Sequence, residues 1–189
     1  MLTQMLDGGF ADPARDAAHA FRAVMEAMAR PATTWTLRGA TPPAPLSPAA
    51  GAVVLTLCDT DTPLFLAGDL DCDAVRGWIA FHTGAPLTDR ASCAFALGAW
   101  EDLAPLEGYP AGTPEYPDRS TTLIVDGPLP AADRARLTGP GIASETTMAL
   151  PDLAALERNA ARFPLGVDLL FTQEDRVTAL PRSTKVEPA

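Results

Sequence analysis

The stretch from Phe10 to Pro31, FADPARDAAHAFRAVMEAMARP, constrains this chain most, because its start, its stop and its faces are all set locally. Asp12 is placed to accept the free N–H groups of a first helical turn. Pro13 follows at a position where a missing N–H costs nothing. Pro31 stops the helix at or just before Arg30. Between them Ala17, Phe21, Val24 and Met28 recur at steps of four, three and four, the spacing of one helical face. Arg15, His19, Arg22, Glu26 and Arg30 fall together on the other side. The pattern predicts a helix with an apolar core face and a mainly cationic outer stripe, on a chain of formal charge −10.

That net charge bounds the partners. Nucleic acids and anionic membranes are bound through a basic footprint, which an acidic chain lacks. Residues 1 to 20 have no basic start followed by an apolar run, so no secretory signal is expected. No stretch approaches the roughly 18 apolar residues of a membrane span. Cys58, Cys72 and Cys93 are odd in number and far apart, which fits reduced thiols in a cytoplasm better than a disulfide framework. Cys93, inside an apolar run, reads as core. The 189 residues are expected to form one domain, 1–189, with a substantial core. Charged residues are 20%, slightly below the usual quarter, which favours a chain that lives in an assembly.

Beyond the first helix, Thr33 to Arg38 alternates as a strand does, and PPAPLSP (42–48) is a stiff connector. Ser47 caps a second helix with Pro48 in its first turn, running to about Asp59; its body, AAGAVVLTL, is apolar nearly all round and predicts burial on most sides. Pro63 to Ala67 is a short strand. Asp69, Asp71 and Asp73 precede a third helix carrying Val75, Trp78, Ile79 and His82, with Gly84 as its left-handed C-cap. Ala91 to Leu97 reads as a buried strand. Pro105 to Pro117, rich in proline and glycine, is too long for an ordinary connection and reads as a lid, an arm or an insertion. Thr121 to Val125 is a strand, and a turn at Gly139-Pro140-Gly141 divides two further short segments. Pro151 to Phe163 is a helix with Leu153, Leu156 and Ala160 on one face. Val167 to Thr172 and Arg176 to Leu180 form a hairpin.

Several motifs are absent: no GxxxxGK[ST], no GxGxxG after a strand, no CxxC, no HExxH and no GxSxG. Asp69, Asp71 and Asp73 begin like a calcium loop, but Ala74 stands where glycine is needed and Ala80 where a bidentate glutamate is needed, so helix capping is the better reading. Thirteen of the fourteen basic residues are arginine; the one lysine, Lys185, lies in what reads as an exposed tail. A Schiff base has no other candidate. His82, in FHTGAP, ends a helix, where an imidazolium meets the negative helix end; beside Thr83 and Gly84 the alternative is a ligand or proton-transfer role. His19 reads as a solvated residue. Arg119-Ser120-Thr121 and Arg182-Ser183-Thr184 each set a guanidinium beside hydroxyls, as a phosphate or carboxylate clamp does, or as a polar strand end does. Gly139-Pro140-Gly141-Ile142 can offer backbone N–H groups to an anion, or be a plain turn.

Six segments in order carry a family resemblance: GFADPARDAAHAFRAVMEAMARPA at the start, SPAA at 47–50, FHTGAP at 81–86, LTGPGI at 137–142, FPLGVDLLF at 163–171 and ALPRSTKV at 179–186. Together they resemble the PhnH subunits of the bacterial carbon–phosphorus lyase system. The resemblance implies an α/β fold, a three-layer α/β/α sheet like the large domain of pyridoxal-phosphate (PLP)-dependent transferases but without PLP, and no other cofactor. It implies a role in organic phosphonate catabolism, in which a phosphonate displaces adenine from ATP to give ribose 1-phosphonate 5-triphosphate. A diphosphate is then removed and a radical iron–sulfur subunit cleaves the C–P bond. The partners implied are a second copy, as a homodimer, and the G, I and J subunits of the core complex, with the chain taking part in the first step without being the assigned nucleosidase. The residues agree in one respect: they supply neither the four cysteines of an iron–sulfur cluster nor a basic cradle for a triphosphate. An accessory subunit with a small anionic ligand cleft is the first expectation. A phosphonate- or phosphate-ester-binding enzyme using His82 and one Arg-Ser-Thr element is the rival.

Overall fold

Local signals set most of the elements found in the structure, a computed structural model that describes residues 7–130 and 133–189. Helix α1 (Pro13–Ala29) starts where Asp12 accepts the N–H of Arg15 at 3.3 Å, and it ends before Pro31. Helix α2 (Pro48–Leu57) is capped by Ser47, whose Oγ accepts the N–H of Ala50 at 3.1 Å. Residues Ala49 to Val54 are all buried, as an all-round apolar helix requires. Helix α3 (Asp73–His82) differs at its start. Its N-cap is Cys72 and makes no side-chain cap bond; Asp71 is instead drawn into an ion pair with Arg76.

The strands assemble into two sheets. In the larger, β2 (Leu64–Leu66), β3 (Phe95–Gly98), β4 (Thr122–Asp126) and β7 (Asp168–Gln173) run parallel as neighbours. Strand β8 (Arg176–Leu180) returns antiparallel on β7 as the expected hairpin, and β1 (Thr34–Thr36) closes that edge, giving the order β1-β8-β7-β4-β3-β2. The smaller sheet joins β5 (Asp133–Thr138), β6 (Thr146–Leu150) and β9 (Lys185–Pro188), all antiparallel, in the order β6-β5-β9. Residues 185–188 are therefore a paired strand, not a loose tail, although Lys185 itself is exposed.

The pleat divides the core in two. Leu97, Ile124 and Leu170, in register across β3, β4 and β7, face α1, α2 and α3; Ala96, Leu123, Val125, Leu169 and Phe171 face the other way. That second face is covered by a one-turn helix α4 (Trp100–Leu103), by α5 (Leu153–Ala161) and by the small sheet. The molecule is thus a mixed α/β fold around a six-stranded, mostly parallel sheet covered on both faces.

Three further expectations change. Helix α1 buries Ala20, Ala23, Val24 and Ala27, and Phe21 stays 47% exposed. Its buried strip, three alanines and a valine, packs on α2, itself rich in buried alanine, and small side chains on both let two helices approach closely. The stretch 91–97 is a strand only from Phe95, because Arg90–Ser92 forms a 3-10 turn that places Cys93 in the second core. Residues 105–117 are no free lid. Leu106 and Tyr109 are buried, Tyr109 donates its hydroxyl to Leu103 O at 2.9 Å, and Arg90 lies over the Tyr109 ring at 4.9 Å.

Candidate functional site

Open parallel sheets bind ligands outside the carboxyl ends of their strands, where the loops diverge. Here that edge is organised by Asp126, the last residue of β4. Its carboxylate is buried and accepts three bonds: from Ser47 Oγ at 2.6 Å, from Ser47 N at 2.9 Å and from Thr172 Oγ1 at 2.9 Å. One carboxylate therefore ties the start of α2 to the ends of β4 and β7. With three donors already bound it is a fixed strut, not a free base.

Two cavities flank Gly127 at this edge. One, of about 370 Å³, is lined by Thr34, Thr172, Gln173, Arg176 and Thr178, with Leu129 and Phe171 beneath. Thr34 and Thr178 face each other across the β1–β8 pair with their hydroxyls 3.0 Å apart, and Arg176 makes no ion pair among the described residues. A guanidinium beside two hydroxyls can hold a small oxyanion, although Glu174 at the rim opposes a large one. The other cavity, of about 200 Å³, is lined by Asp69, Asp102 and Asp126 and disfavours anions. Among the described residues no group of three or more His, Cys, Asp or Glu is arranged to hold a metal ion.

The residues singled out from the sequence lie elsewhere. His82 does end α3, but its Nε2 lies 3.3 Å from Asp7 O, which also accepts the indole N–H of Trp78 at 3.0 Å. The ring lies tilted against Trp78 and edge-on to Phe81, each at 4.9 Å between centroids, and a Cβ on Gly9 would stand 2.7 Å from it, so the segment before α1 lies directly on the imidazole. Thr83 Oγ1 donates to Ile79 O and accepts from Ala85 N, and Gly84 has φ +69°, the expected left-handed cap. All three groups are engaged in closing the helix and holding the entry to α1.

Arg119 lies exposed over the Tyr116 ring at 4.1 Å, and Ser120 bridges to Ala111. Arg182 is much more deeply placed. It pairs with Asp168 at 3.1 Å and donates to Pro117 O at 2.7 Å and Gly166 O at 3.0 Å, while its own N–H reaches Asp168 Oδ1 at 2.8 Å. The fold does gather the two Arg-Ser-Thr elements at the amino ends of the parallel strands, one leading into β4 and the other following β8 beside β7. Its effect there is to pin the 105–117 segment. Ser183 is half-buried and Thr184 buried, and His82 shares no hydrogen-bond partner with either element among the described residues. Cys58 and Cys93 are not poised nucleophiles: burial, reinforced by Asp59, pushes Cys58 up to about 12, and burial raises Cys93 as well.

The motif segments, dispersed in sequence, meet in space. A Cβ on Gly141 would stand 1.9 Å from Ala29 O, so the GPG turn lies against the end of α1; one on Gly139 would stand 3.0 Å from Ser183 O. The ends of MARPA, LTGPGI and PRSTKV thus form one junction. Comparison with known proteins agrees with that whole-chain pattern. The family model described as bacterial phosphonate metabolism protein (PhnH) matches residues 8–187. The chain belongs to the PhnH family. It is also 44% identical, over 98% of its length and 97% of the relative's, to the alpha-D-ribose 1-methylphosphonate 5-triphosphate synthase subunit PhnH of Rhizobium meliloti (strain 1021). Two features of the carboxyl edge escaped the sequence reading, the Asp126–Ser47–Thr172 tie and the cavity beside it. Asp126 reads locally as the start of a turn, and its partners are 79 and 46 residues away.

Proposed function

We propose that this chain is an accessory subunit of a carbon–phosphorus lyase core complex. In this reading it takes part in forming alpha-D-ribose 1-methylphosphonate 5-triphosphate from ATP and methylphosphonate. The observation that carries the reading is family membership across residues 8–187, together with a full-length relative bearing that synthase name. It acts as one domain, 1–189, in the cytoplasm, as a homodimer when alone and with the G, I and J subunits when assembled; no described helix is long and apolar enough to cross a membrane. We also infer that its fold is the PLP-transferase large-domain variant without PLP. The four adjacent parallel strands covered on both faces support this, as does the exposed position of Lys185 on β9.

The accessory role is preferred over an independent enzyme built on His82 and the Arg-Ser-Thr elements. Nucleophilic or general-base catalysis needs a donor and acceptor within reach of one another and of a substrate. His82 instead meets Asp7 and Trp78, and Arg182 meets Asp168, Pro117 and Gly166. The test is deletion and complementation in a host that grows on methylphosphonate as sole phosphorus source, with a pull-down of the other core subunits. Loss of growth on deletion, and co-purification of the restored chain, are expected. Turnover of ATP and methylphosphonate by the isolated chain would overturn the accessory reading.

A further inference from the structure

The outward side of α1 carries an apolar surface that the site description leaves unused. Phe21 is 47% and Met25 54% exposed, and with Ala18, Arg22, Glu26 and Ala29 they line a groove of about 490 Å³. The order of these six residues is self-complementary. Turned end for end about a point between residues 23 and 24, Ala18 falls opposite Ala29 of a second copy, and the Phe21–Met25 and Arg22–Glu26 pairs each fall within one residue of register. One residue along a helix is about 1.5 Å, well within side-chain reach. An alanine at each end lets two helices approach closely, while the aromatic ring and the thioether meet in the centre. Arg22 of each copy then faces Glu26 of the other, so both ends of the contact carry an opposite-charge pair. Glu26 also pairs with Arg30 of its own helix at 2.5 Å.

We propose that a second copy of this chain docks here, the two α1 helices packing antiparallel about a two-fold axis that passes between residues 23 and 24. An isologous contact requires one patch to complement itself, and this patch does so in shape, polarity and charge. The proposal rests on the homodimer reading above and names the surface that forms it.

Sedimentation of the full chain at micromolar concentration gives the test. The wild type should be a dimer. Phe21→Glu sets a carboxylate against Glu26 of the other copy and should weaken the dimer by about 100-fold or more. Arg22→Glu should weaken it by about tenfold, and Arg22→Glu with Glu26→Arg should return it to within about threefold of wild type. The charge pair is exposed, so its rescue reads the contact even if Phe21→Glu disturbs the fold. A wild-type monomer overturns the dimer reading and this surface with it. A wild-type dimer that Phe21→Glu leaves intact overturns the surface alone. So does a Phe21→Glu chain that stays dimeric but no longer co-purifies with the other core subunits, since the face then belongs to a different protein. A double variant no tighter than Arg22→Glu overturns the antiparallel register.

Discussion

Replacing Arg182 by alanine separates the two meanings that residue can have. If it ties the fold together, the loss appears in stability; if it is an anion clamp, the loss appears in turnover. The side chains of Arg182 and Asp168 retain 16% and 13% exposure. Breaking a fully buried ion pair by removing one partner costs about 3–5 kcal/mol. Partial exposure lowers that, and so does the backbone N–H of Arg182, which still reaches Asp168 Oδ1 after the substitution. Against this, Pro117 O and Gly166 O each lose a charged donor, a bond of about 1.5–3 kcal/mol before water replaces it at an accessible edge. These terms are coupled and do not add, and about 3 kcal/mol is the expected total. For a chain of this size that lowers Tm by about 6–12 °C. Thermal melts of Arg182→Ala, Asp168→Ala and the double variant should show a coupling of about 1–3 kcal/mol. Limited proteolysis should open first in residues 110–118, which the guanidinium holds down. An Arg182→Ala chain that melts within about 1 °C of wild type yet fails to support growth on methylphosphonate would refute the structural role.

Four further outcomes are expected. His82→Asn should cost at most about 1 kcal/mol, because Trp78 still holds Asp7 O, and both complex assembly and phosphonate growth should survive; a complex that assembles but does not support growth places chemistry at that helix end. Gly141→Ala should cost at least about 2–3 kcal/mol by chemical denaturation, since its φ is +81° and its Cβ would stand 1.9 Å from Ala29 O. In native protein Ellman's reagent should label half-buried Cys72 quickly, and Cys58 and Cys93 only on unfolding. The Cys58 thiol ionises near 9.0 when unfolded and about 12 when folded, so its protonated form contributes full stability below pH 9, and this is lost as pH rises from 9 towards 12. That part of the loss, about 1.4 kcal/mol per pH unit, should vanish in Cys58→Ala.

What could be read in advance was whatever a few neighbouring residues decide. Asp12 and Pro13, Ser47 and Pro48, Gly84, and the hairpin that ends at Leu180 each carry their instruction within a few turns of chain. The buried side of α1 was not decided so. The strip actually buried, Ala20, Ala23, Val24 and Ala27, is rotated from the predicted Ala17, Phe21, Val24 and Met28, and it packs on α2, a partner the helix does not encode. Strand β9 is similar: KVEP has no strong strand signature and becomes one only because β5 offers a free edge. For the candidate site, types were easier than partners. His82 and the two Arg-Ser-Thr elements read as chemically capable, but capability says nothing about occupation. His82 lies against Asp7 O and the donors of Arg182 are taken by Pro117, Gly166 and Asp168, and only the assembled sheet puts those groups within reach.

The near-absence of lysine follows from how this fold closes its loops. A guanidinium presents five donors in a plane and can serve several carbonyls at once, whereas an ammonium is a compact point charge. Arg90 donates to Asp102 O, Ala104 O and Pro105 O while lying over Tyr109, and so holds the proline-rich segment at one end. Arg182 holds it at the other through Pro117 O. Arg136 joins β5 to β9 through Glu187 at 2.6 Å, and Arg158 links α5 to Glu107. Cations engaged in this way do not form a cradle for a polyphosphate, and the remaining surface of a chain at −10 repels one. In the reaction proposed, the charge of ATP and its product is therefore not met by these arginines. What this chain can contribute is a rigid body whose loops are clamped, one small polar cavity at the carboxyl edge of its sheet, and an apolar helix face turned outward.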